Sequence, residues 1–90
     1  MGLKKLENEI SVAEKNINDT KIEIADLFLK IHDNCPKEKP TFNEFSNWVD
    51  DMVKMPDLIE KLRRYECRRN TLLASKHLIE NSETEIFAKN

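Results

Sequence analysis

Residues 3–33 read LKKLENEISVAEKNINDTKIEIADLFLKIHD, and the reading of this stretch decides the fold. Its apolar and small residues recur at alternating spacings of three and four: Leu3, Leu6, Ile10, Ala13, Ile17, Thr20, Ile24, Leu27 and Ile31. That alternation keeps one stripe of a helix turned to the same side, which is the pattern of a heptad seam. Neither proline nor glycine interrupts it. As a helix the stretch would be about 46 Å long at about 1.5 Å per residue. A single helix of this kind is not stable in water on its own propensity, so its apolar stripe has to be covered by another helix, from this chain or a second one.

The rest of the chain offers the cover. Asn34, Cys35 and Pro36 end the first helix near Asp33, and Pro36 and Pro40 bracket a polar Lys37-Glu38-Lys39, which makes residues 34–41 a linker. Thr41-Phe42-Asn43-Glu44 reads as a capping box, with the Thr41 hydroxyl accepting from an amide three residues on and Glu44 reaching back. A short helix is expected over about 42–54, its apolar face holding Phe42, Phe45, Trp48, Val49, Met52 and Val53. Aromatic residues gathered on one short helix serve either a core or a recognition surface. Pro56 suits the first position of a further helix, with Asp57 and Glu60 well placed for its dipole, running from about 56 to 81. Asn81 would end it, and Ser82-Glu83-Thr84-Glu85 would cap a final turn or tail over 82–90.

The last long helix has a seam of its own: Leu58, Leu62, Tyr65, Arg69, Leu72, Lys76 and Ile79. Laid antiparallel on the first, it sets Ile31 opposite Leu58, Ile24 opposite Tyr65, Ile17 opposite Leu72 and Ile10 opposite Ile79. In that register the small Thr20 and Ala13 meet the long Arg69 and Lys76, whose stems can lie in the seam with their heads in water. One alternative lets the second and third helices run on with a kink at Pro56, which brings Ile24 near Met52. Another is a parallel homodimer through the first helix, against which Glu9 and Glu14 would face each other with like charge. The expected architecture is all-α: a long antiparallel, coiled-coil-like hairpin in one domain, with a short third helix near its turn.

Ninety residues bury only a modest core, so help from a partner is in keeping with this size. A single glycine argues against a sheet-rich fold, and 36% charged residues suit helices with wet outer faces. The net charge of −2 does not call for a polyanionic or polycationic partner. Charge is nevertheless uneven: residues 58–90 carry seven Lys and Arg against five Asp and Glu, whereas residues 1–33 carry five against seven. No apolar run is long enough to cross a bilayer and no signal peptide is recognisable, so a soluble cytoplasmic protein, or one of an infected host cell's cytoplasm, is expected. Cys35 and Cys67 lie in different segments and suit a reducing compartment.

Candidate chemistry is thin. His32 and Cys35 have ligand-like spacing, but Cys67 and His77 lie ten residues apart and about 80° apart around a helix, so the four do not converge on a metal. A cysteine nucleophile needs an adjacent base and a pocket that excludes water, which two or three thin helices rarely form. No enzyme, cofactor, metal or small-molecule substrate is expected. The function expected is protein–protein interaction, by self-association or by docking one helix face on a larger protein, as a small adaptor, assembly factor or inhibitor. The contact residues would be Phe45, Trp48, Met52, Tyr65 and Arg64. The alternative is a nucleic-acid-associated protein, because Lys61, Arg64 and Arg68 fall within an arc of about 60° and form a row that could follow phosphates. The small, lysine- and isoleucine-rich composition would suit a phage or another compact genome.

Overall fold

The computed structural model describes residues 2–88, with side chains as far as residue 82. It holds two long helices and, among the described residues, no strand: α1, Leu3–Asp33, and α2, Phe42–Ala88. Every seam position of α1 is buried or half-buried, from Leu3 to Ile31, so the heptad reading of the first third holds residue by residue. Residues 34–41 connect the two helices, and of the Thr41 capping box the hydroxyl half is seen. The Thr41 hydroxyl accepts from the Glu44 amide at 3.2 Å. At the end of α1, the Asn34 side-chain amide donates to the Lys30 carbonyl at 2.9 Å, closing the last turn.

The second half of the chain differs from expectation in three ways. First, the separate helices over 42–54 and 56–81 are one helix, with Pro56 inside it. An interior proline removes one backbone hydrogen bond and costs about 3 kcal/mol. Here Pro56 is exposed, so the interruption lies on an outer side of the helix rather than in its seam. Second, α2 does not stop at Asn81 but continues to Ala88; the side chains of the turn or tail expected over 82–90 lie outside the described residues beyond Ser82. Third, the register is different.

The chain divides into two units, one joining Met1–Ile17 to Arg64–Asn90 and the other comprising Asn18–Arg63. Each contains a piece of α1 and a piece of α2 running antiparallel. In the first, Leu6, Ile10, Ala13 and Leu72 form a buried cluster, and Ile79 packs against it. Glu7 pairs with Lys76 at 3.5 Å and Glu9 with Arg68 at 3.4 Å. In the second, Glu23 pairs with Lys61 at 3.6 Å and Lys30 with Asp51 at 3.4 Å.

These contacts place α2 about one heptad, roughly 10 Å, from the expected register. Leu72 clusters with Ile10 rather than lying opposite Ile17, and the Trp48 indole, not Leu58, meets the Ile31 backbone. A slip of one heptad keeps both seams facing each other, so periodicity alone cannot choose between the two. The continuity of α2 does choose: its seam extends upstream of Leu58 through Met55, Asp51 and Trp48, all buried or half-buried, and these cover the last turns of α1. The run-on alternative therefore describes the course of the chain, although Met52 is 43% exposed and not a seam residue.

A candidate docking face on the start of α2

The six apolar residues expected on one face of the 42–54 segment divide between two. At about 100° per residue, Trp48 falls with Asp51, Met55 and Leu58 on the side turned to α1, whereas Phe42, Phe45, Val49, Met52 and Val53 occupy an arc of about 100° centred roughly 130° away. Phe42 is 83% exposed, Val53 63%, Phe45 47% and Met52 43%. The four form a bare apolar stripe spaced i, i+3, i+10 and i+11, with the half-buried Val49 between them. That is the spacing of a helix that lays one face on a protein surface.

The stripe is held from behind. The Trp48 indole N–H donates to the carbonyl oxygen of Ile31 at 2.9 Å, tying this part of α2 to the end of α1. The Phe45 ring packs on the Trp48 ring with centroids 6.2 Å apart, a separation at which tilted aromatic pairs attract. One turn further on, Asp51 is only 7% exposed and its Oδ1 receives both Lys30 and Lys54 at 3.4 Å. Lysine ammonium groups on both sides of a nearly buried carboxylate offset the cost of taking it out of water. Trp48, half-buried, thus lies behind the exposed stripe and holds the ring of Phe45 against it.

The remaining candidate contact residues belong to the other unit: Tyr65 is half-buried in the seam, and Arg64 is exposed. Phe42 and Val53 are the contact candidates that sequence reasoning passed over, as members of an expected core. Their signal was present in the heptad count, because neither continues the 3–4 seam upstream of Leu58 that Trp48, Asp51 and Met55 do continue.

The basic row fares differently from its expected form. Lys61 is engaged with Glu23 and Arg68 with Glu9, both carboxylates of α1. Of the three cations, Arg64 alone has no acidic partner among the described residues. Cys35 and Cys67 are exposed and unbridged. His77 lies 3.0 Å from the Asn81 side chain and His32 3.5 Å from Asp33. Among the described residues no three His, Cys, Asp or Glu side chains are grouped to hold a metal ion, and no helix is long and apolar enough to cross a membrane. A hollow of about 590 Å³ beside the linker is bordered by Lys30, Cys35, Trp48, Asp51 and Lys54, with no histidine on its wall to activate the thiol. Comparison with known protein families, curated proteins and solved structures gives no match to this chain.

Proposed function

We propose that the protein is a non-enzymatic interaction module that docks through the outer face of the first turns of α2. The observation that supports this reading most directly is how its exposed apolar side chains are distributed. Of eleven exposed large hydrophobic residues among those whose side chains are described, eight fall in the unit Asn18–Arg63: Ile22, Phe28, Leu29, Phe42, Phe45, Met52, Val53 and Ile59. Scattered apolar residues are ordinary on a protein surface, but a contiguous stripe of them marks a site of association. Phe42, at 83% exposure, gains most from being covered.

In this reading Phe42, Phe45, Met52 and Val53 make the contact, Trp48 keeps the ring of Phe45 in place, and acidic residues beside the stripe set which partners are accepted. A role as adaptor, assembly factor or small inhibitor is compatible with a surface of this size. The test is in-cell photocrosslinking of the full chain carrying benzoylphenylalanine at position 53. A discrete protein adduct is expected, and it should vanish when Phe42→Asp is added. If position 53 yields no adduct, or one that is indifferent to Phe42→Asp, the docking reading is wrong.

A further inference from the structure

We propose that the stripe is covered by a second copy of the chain, in an antiparallel pairing that sets it on the Arg64–Leu78 stretch of the other copy's α2. The inference rests on the docking reading and names its partner. Three observations lead to it.

The first is charge. On the outer side of the 42–60 segment, Asp50 and Asp57 flank the apolar stripe, are exposed, and have no cationic partner among the described residues. If the stripe packed on itself, these acids would be brought together, and like charges across an interface oppose association. The surface that suits the stripe is apolar or small with basic flanks.

The second is that this chain carries such a surface. Cys67, Thr71, Ala74 and Leu78 are exposed and, with Arg64, share an arc of about 80° turned away from the seam residues of their own stretch. Arg64 and Arg68 line the edge of that arc. In an antiparallel helix pair, edges on the same angular side of the two helices meet, so the Asp50 and Asp57 edge of one copy meets the Arg64 and Arg68 edge of the other.

The third is that one register satisfies both size and charge. Pairing Phe42 with Leu78 of the second copy also puts Val49 beside Thr71 and Val53 beside Cys67, and brings Asp57 within one residue's rise, about 1.5 Å along the axis, of Arg64. Bulky side chains then lie on smaller ones, the complementarity that close helix packing needs. The contact is isologous, so every pairing occurs twice. Its cost is that the Glu60 carboxylates of the two copies come close to the two-fold axis.

The test is the solution mass and dissociation constant of the full chain by sedimentation, with helix content checked for each variant. The wild type should be a dimer that weakens with salt. Asp57→Arg alone and Arg64→Glu alone should each weaken it about tenfold or more, by placing like charges together twice. An equimolar mixture of the two variants should recover wild-type affinity as a heterodimer, because each pairing is then complementary again. Glu60→Gln should tighten the dimer. A chain that stays monomeric at 0.1 mM, a dimer indifferent to both charge reversals, or a mixture that fails to recover would overturn the proposal. A monomer that still yields the Phe42-dependent adduct from position 53, with a different protein, overturns self-pairing alone and leaves the docking reading standing.

Discussion

The two units are made from the same two helices yet solve the covering problem differently. Where Met1–Ile17 meets Arg64–Asn90, the α1 side of the seam is buried: Leu6 is 2% exposed, Ala13 1% and Ile17 2%. In Asn18–Arg63 Thr20 is the one buried seam residue of α1, with Ile24, Leu27 and Ile31 half-buried, and the buried partner contributed by α2 is a carboxylate, Asp51. The first unit spends its apolar residues inward, whereas the second places several of its largest outward and orders itself through an indole–carbonyl hydrogen bond and lysine–aspartate pairs. A segment so built is less stable by itself and better suited to meeting a partner, since stability and bare binding surface draw on the same side chains.

The largest effect should separate the units by a single chemistry at two sites. Leu6→Ala removes a buried side chain from the cluster with Ile10, Ala13 and Leu72 and should cost about 2–5 kcal/mol. Leu27→Ala removes a half-buried one and should cost roughly 1–2 kcal/mol, because less apolar area returns to water. Urea unfolding followed by helix content measures both. Equal costs would mean that the seam is uniformly packed and that the contrast between the units is not energetic.

That contrast was only partly legible in the sequence. The α1 seam, the linker after Asp33 and the Thr41 cap were readable because each rests on local rules: spacing, proline and a hydroxyl before a helix. The course of α2 was not. Pro56 reads as a helix start on local grounds, and only the seam through Trp48, Asp51, Met55 and Leu58 outweighs it. Asp51 hid that seam, since a charged residue at a heptad position breaks the apolar count until its lysine partners are known. The register was ambiguous for a different reason, as shifting one heptad changes no residue from seam to surface. The division of the aromatic face followed from the same uncertainty: without the direction of α2 past Pro56, Trp48 and Phe42 could not be assigned to opposite sides.

A smaller effect tests whether the second unit is ordered by its polar anchor. Trp48→Phe keeps an aromatic ring against Phe45 but deletes the donor to the Ile31 carbonyl, and should cost about 1–2 kcal/mol. Amide hydrogen exchange gives the decisive reading. Protection should fall at the end of α1 and the start of α2 while amides around Leu6, Ile10 and Leu72 keep theirs. A uniform loss along both helices would show that the units open together, and the contrast drawn between them would then describe composition rather than behaviour.

The smallest effect concerns the ion pairs that link α1 to α2. Arg68 and Glu9 are 3.4 Å apart, with side chains 60% and 31% exposed, so water and the entropy of two long side chains absorb most of their attraction. A double-mutant cycle with Glu9→Gln and Arg68→Gln should give a coupling below about 1 kcal/mol, lost in 0.5 M salt. This small number bears on register. If the pairs are that weak, they cannot hold α2 one heptad away from its alternative alignment, and the choice falls to the Trp48 anchor and to the short connection between Asp33 and Phe42. A coupling above about 2 kcal/mol would reverse the assignment and make the charged edges of the first unit the element that fixes how the helices align.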